Sequence, residues 1–318
     1  MPIVDMSLED LKKYNGINPC PEDFEEYWRK AKRELKDIEP KIELTPAQFQ
    51  VPFCECYDLY YTGVKGARIH AKYLKPKESK GKHPALLQFH GYSSNSGDWN
   101  DKLQYVALGF SVFAMDCRGQ GGFSQDVGGI KGNTLQGHII RGIDDEPDQL
   151  LYRDIFLDAA QLARIAFDME DIDNQKVYAC GYSQGGGITL ACAALEPRIS
   201  KLAPVYPFLC DYKRVWEMDL LKDAYIEIKQ YFRLFDPIHE REDAVFKKLG
   251  YIDVQNLVSR IKGKVLFTTG LMDTICPPST QYAAYNKIQA PKEHIIYPDF
   301  GHEQLPQLND RILQFFME

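Results

Sequence analysis

Five residues, Gly181-Tyr182-Ser183-Gln184-Gly185, constrain this chain more than any others. The run Lys176-Val177-Tyr178-Ala179-Cys180 leads into them with the character of a buried strand. An apolar, helix-like run from Gly186 to Leu195 leads out. A serine flanked by glycines where a strand becomes a helix reads as a nucleophile elbow. The turn is tight enough to strain the serine backbone. Glycines two before and two after it let strand and helix pass without side-chain collision. The hydroxyl then stands above the sheet edge, and the backbone N–H of Gln184, at a helix N-terminus, is aimed where an oxyanion would form. The five-residue pattern alone also fits an ordinary loop. Its setting between strand and helix, with two candidate partners downstream, is what favours chemistry.

The rest of the chain supplies a rhythm of strands and helices. Two strands, about 54–62 and 67–75, are joined through Gly63 and Gly66 and read as an antiparallel sheet edge. Further strands are expected at 84–89, 110–115, 176–180, 201–206, 264–270 and 294–297. Helices are expected at 98–108, 152–169, 278–288 and after the elbow, and Leu305, Leu308, Ile312, Phe315 and Phe316 repeat at the spacing of a closing helix. Phe24, Tyr27, Trp28, Ala31, Leu35 and Ile38 place another at 22–38, within an N-terminal extension of about 1–50. Eight strands alternating with helices give an α/β class, a mostly parallel sheet covered on both faces. With 318 residues, 44% of them hydrophobic, the chain can fill one large core. It reads as a single domain over 1–318. Between Pro207 and Gly263 the rhythm breaks into helices, about 219–234, 238–249 and 253–261, as a small cap-like insertion. Residues 123–151 are polar, glycine-rich and too long for a simple connection, so they suit a pocket wall or a subunit contact.

The order nucleophile, acid, histidine is that of the α/β-hydrolase arrangement, here Ser183, Asp273 and His302, each just beyond an expected strand. Loops at the carboxyl ends of parallel strands converge on one sheet edge. Ser183 needs a base, His302 can take and return its proton, and Asp273 can fix the imidazole tautomer. Asp299, three residues from His302, is too local to be the usual acid. A histidine base also predicts that activity falls on the acid side of its profile. His90-Gly91-Tyr92 follows the strand at 84–89, where this arrangement places the second oxyanion donor, so the Tyr92 N–H is the candidate. His90 itself reads as a buried histidine that orients the loop. Asp116-Cys117-Arg118-Gly119-Gln120-Gly121-Gly122 lacks the GKS/T of a phosphate loop and the spacing of a dinucleotide loop. Arg118 and Gln120 are expected to brace the active-site loops instead.

A net charge of −7 with dispersed basic residues argues against a nucleic-acid partner. Met1 to Asp10 has no apolar signal segment, and no run approaches the roughly 18 apolar residues of a membrane span. The eight cysteines form no CxxC pair, which fits buried free thiols in a reducing cytoplasm. A zinc site at Cys54 and Cys56 would lack partners at metal spacing, so neither metal nor cofactor is expected. Nineteen tyrosines fit ordinary packing, an aromatic-lined sugar site or subunit contacts.

Three motifs, Arg118-Gly119-Gln120, Gly181-Tyr182-Ser183-Gln184-Gly185 and His302-Glu303, carry a family resemblance. The chain resembles carbohydrate esterase family seven, the acetyl xylan esterases and cephalosporin C deacetylases, nearly from end to end. Tyr182 departs mildly, since small residues are frequent at that place. The resemblance implies a metal-free serine esterase that deacetylates small substrates such as xylo-oligosaccharides and 3'-acetylated cephalosporins. It implies a homohexamer with enclosed sites, in the cytoplasm. It also implies that Tyr92 and Tyr206 line a small acyl pocket, although strand-end packing serves equally for Tyr206. A serine peptidase of the same fold and a non-catalytic binding protein are the rival readings. Peptidases of this fold commonly append a large recognition domain, and non-catalytic relatives usually lose a triad residue.

Overall fold

The computed structural model describes residues 4–79, 81–127, 129 and 134–318. The apolar runs form the strands of one nine-stranded sheet. They are β1 (Glu43–Pro46), β2 (Cys54–Thr62), β3 (Arg68–Pro76), β4 (His83–Phe89), β5 (Ser111–Met115), β6 (Ile172–Tyr182), β7 (Lys201–Val205), β8 (Lys264–Gly270) and β9 (Lys292–Tyr297). Their spatial order is β1-β2-β3-β5-β4-β6-β7-β8-β9. Strands β4 to β9 run parallel to their neighbours in that group, while β1, β2 and β3 pair antiparallel. The chain goes from β4 to β5 on one side and then lays β6 on the other. That reversal opens a crevice beyond the carboxyl ends of β4 and β6, the usual position of a site in such a sheet.

The eight expected strands are all present, and β1 is the ninth. Its four residues are all exposed, so it has no buried face and no alternation to read. It exists through its pairing with β2, Glu43 opposite Tyr60 and Pro46 opposite Tyr57.

Ten helices accompany the sheet among the described residues: α1 (Leu8–Leu11), α2 (Phe24–Lys36), α3 (Leu103–Ala107), α4 (Leu151–Asp168), α5 (Gln184–Leu195), α6 (Tyr212–Glu217), α7 (Ile226–Phe235), α8 (Glu242–Leu249), α9 (Pro278–Lys287) and α10 (Leu308–Met317). In α2 the buried residues Phe24, Trp28, Ala31 and Leu35 form one stripe, and Trp28 stacks on Phe156 of α4 at 6.2 Å. Its indole N–H reaches the carbonyl of Tyr251 at 3.0 Å, tying the N-terminal segment to the region between β7 and β8. That region differs from expectation. Asp219 and Asp223 have left-handed φ of 51° and 49°, so the helix expected from 219 begins only at Ile226 as α7, and α6 is a separate helix before it. The expected helix at 253–261 is two single 3₁₀ turns. The helix expected at 98–108 is likewise shortened to α3 after one 3₁₀ turn.

The apolar interior falls into two main bodies separated by the sheet. One joins α2, α4, α5, α9 and the helices between β7 and β8. The other joins residues around α3 and α10, with Leu86, Val112, Tyr178, Cys180 and Tyr206. No helix among the described residues is long and apolar enough to cross a membrane.

Candidate active site

Ser183 sits between the end of β6 and the start of α5 with φ 56° and ψ −118°. Few non-glycine residues adopt that conformation, and it persists only where the surroundings impose it. Here the serine N–H donates to the carbonyl of Val205 at 3.0 Å, and its carbonyl accepts from Phe208 N at 2.9 Å and Gly187 N at 3.1 Å. The flanking glycines are required by close approach. A Cβ on Gly185 would stand 2.0 Å from the carbonyl oxygen of Phe89, and one on Gly181 would stand 2.4 Å from the Gly185 carbonyl.

The strand ends bring three separated residues into line. His302, beyond β9, has Nε2 2.9 Å from Ser183 Oγ and Nδ1 2.8 Å from Asp273 Oδ2. Asp273, beyond β8, is fully buried. Its Oδ1 accepts from the backbone N–H groups of Ile275 and Cys276, both at 2.8 Å. With Oδ1 so engaged, Oδ2 is the oxygen presented to the imidazole. The carboxylate that reaches His302 is therefore that of Asp273, not of Asp299. An imidazole held this way carries its proton on Nδ1 and turns a basic Nε2 toward the serine hydroxyl.

The expected oxyanion donors lie on the other side of the elbow. Gln184 opens α5, so its N–H has no intrahelical partner. Among the described residues neither it nor the Tyr92 N–H has an assigned acceptor. Both donors are braced by side chains. The carboxamides of Gln184 and Gln120 pair reciprocally at 2.8 and 3.0 Å, and Gln120 Oε1 accepts from Ser93 N at 2.9 Å. Tyr152 donates its hydroxyl proton to Gln184 Oε1 at 2.7 Å. Gln120 thus joins the loop of Tyr92 to the elbow. Arg118 does something else. It is buried against Asp158 of α4, with two bonds of 2.6 and 2.7 Å, and caps the carbonyl of Val64 at 2.9 Å. It fixes α4 to the β2–β3 turn rather than bracing the site loops directly. His90 accepts from Cys117 N at Nε2, 3.0 Å, so its Nδ1 carries the proton and donates to the Gly91 carbonyl at 2.7 Å. Burial lowers its pKa, which keeps it a neutral loop organiser.

Tyr92 and Tyr206 pack into different apolar bodies. Tyr92 packs edge-on against His138 and Phe208, at 4.9 and 5.7 Å, in the interior on the α5 side. Tyr206 belongs to the interior on the α10 side and lies 4.5 Å from the His302 ring. The segment expected as a pocket wall does approach Tyr92, through His138 and through Ser93 Oγ, which donates to the Leu135 carbonyl at 2.5 Å. Residues 128 and 130–133 of that segment lie outside the described residues.

Two carboxylates near the site were not singled out by sequence. Asp116, just after β5, accepts from Ser96 N and Phe123 N and pairs with His70 Nδ1 at 2.7 Å. Burial alone would raise its pKa, but these bonds hold it well below the carboxylate range. Glu227 of α7 is 1% exposed. Its Oε1 accepts from the Tyr92 hydroxyl, and its Oε2 accepts from Ile139 N at 3.0 Å and Ile140 N at 3.3 Å. A glutamate in a helix with charged neighbours carries no sequence mark of burial. Asp116 had one visible signal, its place at the end of a central strand.

Burial raises the pKa of Glu227 to about 7, against the opposing bonds from Tyr92, Ile140 and Ile139. A carboxyl with a raised folded pKa favours the fold most below its unfolded value near 4.3. That contribution is lost as pH rises through about 7. Glu227→Gln keeps the shape and removes the buried charge; its one oxygen accepts from the Ile139 and Ile140 N–H groups, and its NH₂ turns to the Tyr92 hydroxyl oxygen, which then accepts. Its melting temperature relative to wild type is expected to rise between pH 5 and pH 8. Glu227→Ala leaves the Tyr92 hydroxyl and two N–H groups unpaired and frees the Tyr92 loop. Its kcat is expected to fall roughly 10- to 100-fold with little change in KM, and Gln to restore most of it. Equal losses for Gln and Ala, or a loss confined to KM, would remove Glu227 from any positioning role.

Among the described residues one group holds three metal-capable atoms close together. Asp273, Cys276 and His302 lie within 4.8 Å of one another. Asp273 and His302 are bonded to each other, and burial pushes the Cys276 thiol well up, disfavouring the thiolate that binds metal. Cys54 and Cys56 place their sulfurs 3.6 Å apart as free thiols. Seven of the eight cysteines are buried, with Cys20 exposed.

Comparison with known proteins agrees with this geometry. The family described as acetyl xylan esterase (AXE1) matches residues 1–318. The crystal structure of acetyl xylan esterase 1 from Thermoanaerobacterium sp. JW/SL YS485 is 64% identical, with 98% of each chain covered and a TM-score of 0.95. Acetyl xylan esterase from Paenibacillus sp. R4 is 36% identical over 98% of this chain and 99% of that one, with a TM-score of 0.92. Acetyl esterase Axe7A of Xylanibacter ruminicola is 26% identical over 96% of this chain and 68% of its own length. Matched over its full span, the chain belongs to the acetyl xylan esterase family and is a serine carboxylic ester hydrolase of the α/β-hydrolase fold.

Proposed function

We propose that the enzyme releases acetate from small acetylated sugars, acetylated xylo-oligosaccharides above all, through an acetyl-serine intermediate. The observation that carries this reading is the unbroken line from Ser183 Oγ through His302 to Asp273, 2.9 and 2.8 Å long, beside two unengaged N–H donors. Ser183 Oγ attacks the acyl carbon while its proton passes to His302 Nε2. The carbonyl oxygen takes up the negative charge between the N–H groups of Tyr92 and Gln184. On collapse, His302 gives that proton to the departing alcohol oxygen and leaves acetyl-Ser183. Water, deprotonated by His302, then releases acetate and restores the serine. Asp273 holds the imidazole and stabilises its charged form. The crowding of Tyr92 by Phe208 and His138 supports an acyl group as short as acetyl. The names of the relatives support the sugar, and 3'-acetylated cephalosporins form a second substrate class by family resemblance. The same resemblance supports a homohexamer working in the cytoplasm on imported fragments.

The test is acetate release from acetylated xylo-oligosaccharides, with p-nitrophenyl acetate, p-nitrophenyl butyrate and an acetylated peptide amide alongside. Release from the sugar with slow butyrate and amide turnover is expected. Cleavage of the chromogenic esters without release from the sugar would overturn the sugar assignment. Preferred amide cleavage would move the enzyme to the peptidases. Sedimentation gives the assembly, and a monomeric mass would refute the hexamer.

A further inference from the structure

The atom that His302 protonates last is the oxygen of the leaving alcohol. The alcohol therefore lies on the side of Ser183 that His302 Nε2 faces. Tyr206 stands against His302 with ring centroids 4.5 Å apart, and Tyr182 meets Tyr206 edge-on at 5.9 Å. Tyr206 holds a left-handed φ of 30°, rare for an aromatic residue, with its N–H bonded to the Thr268 carbonyl at 2.8 Å. Backbone strain of this kind collects at functional sites.

Beside these two rings opens a cavity of about 740 Å³ between the α3 region and α10. That volume is in the range of small-molecule sites, roughly 300–1,000 Å³. Its lining is unusual in chemistry. Alongside Tyr182 and Tyr206 it carries the amides of Gln88, Asn100, Gln104, Gln304 and Asn309. Among the described residues the side chains of Asn100, Gln104 and Gln304 have no protein hydrogen-bond partner. Asn309 Oδ1 accepts from the Tyr182 hydroxyl, which orients that ring. Amides offer a donor and an acceptor in one plane, the pattern that matches neighbouring sugar hydroxyls, and aromatic rings take the apolar face of a pyranose. The lining includes Asp101 and Glu303 but neither lysine nor arginine. A carboxylate or phosphate on the ligand would find no counter-charge there.

We propose that this cavity is the alcohol subsite and takes the uncharged sugar chain of an acetylated xylo-oligosaccharide, its ring against Tyr182 or Tyr206 and its hydroxyls on the amides of Asn100, Gln104 and Gln304. The assignment rests on the esterase reading above. It separates the two substrate classes, because a cephalosporin carries a carboxylate and gains nothing from this lining.

Asn100 and Gln104 are exposed, so Asn100→Ala/Gln104→Ala leaves the fold intact. The measurement is kcat/KM for acetylated xylotriose divided by kcat/KM for methyl acetate, in wild type and double variant. The ratio is expected to fall about tenfold, through KM, as two hydrogen bonds to the sugar are lost. An unchanged ratio overturns the assignment. So does an equal loss on a 3'-acetylated cephalosporin. A second arm uses unacetylated xylotriose as inhibitor of p-nitrophenyl acetate hydrolysis. Competitive inhibition in wild type that weakens in the double variant supports the subsite, and no inhibition in wild type overturns it. This arm needs no sugar deacetylation. Failure of the sugar ester as substrate, with inhibition retained, would therefore count against the proposed reaction and not against the cavity.

Discussion

Ser183→Ala is expected to lower kcat for acetate esters roughly 10⁴- to 10⁶-fold while the protein stays folded. Among the described residues the hydroxyl bonds to His302 Nε2 at 2.9 Å with the Cys276 thiol beside it, and it caps no helix, so the fold loses little with it. Ser183→Gly separates chemistry from strain. Glycine accepts φ 56° and ψ −118° freely, relieving roughly 1–3 kcal/mol of backbone strain. Against this, glycine costs about 0.5–1 kcal/mol through the freedom of the unfolded chain. The first figure is the larger, so the glycine variant should melt above both alanine variant and wild type while remaining inactive. Thermal melts beside initial rates make the comparison. Activity surviving in Ser183→Ala would end the serine mechanism. A glycine variant that melts below wild type would show that the elbow is unstrained.

Asp273→Asn is expected to cost roughly 10⁴-fold in kcat at neutral pH, and the hydrogen bonds say why. Two backbone N–H groups, from Ile275 and Cys276, point at the Oδ1 position. An asparagine must give them its oxygen, because its NH₂ would face two donors. The NH₂ is then turned to His302 Nδ1, which must accept, and the proton moves to Nε2. A protonated Nε2 donates to Ser183 and can no longer take its proton. The variant should keep its fold and its KM, because neither the donors nor the pocket has moved. Steady-state kinetics with a short ester test this. A loss of less than about tenfold would show that Asp273 does not set the tautomer.

Much of this architecture was legible in advance because burial imposes pattern. Strands β4 to β8 carry apolar runs bounded by glycine, proline or polar turns. Ser183, Asp273 and His302, which form one hydrogen-bonded line, each follow a strand. What was hidden lacked any such pattern. Strand β1 is exposed at every position and is defined only by its partner. The break between α6 and α7 depends on two aspartates in left-handed conformation, which no periodicity announces. The packing of Tyr206 against His302 joins a strand end to a loop nearly a hundred residues away, which no local spacing announces. Glu227 was invisible because a buried glutamate is set by its three partners, all more than 80 residues away.

The sheet keeps the two main apolar bodies apart, with Tyr92 in one and Tyr206 in the other. Residues that share no neighbours contribute to free energy independently. On the proposed reading, substitutions in α7 alter which acyl group is admitted without reshaping the space near α10, whereas Phe208, two residues from Tyr206 and bonded to the Ser183 carbonyl, couples the two. A lineage built on this framework can exchange one half of its ester specificity while retaining the other, and variants selected separately for each half can be combined with their effects simply adding.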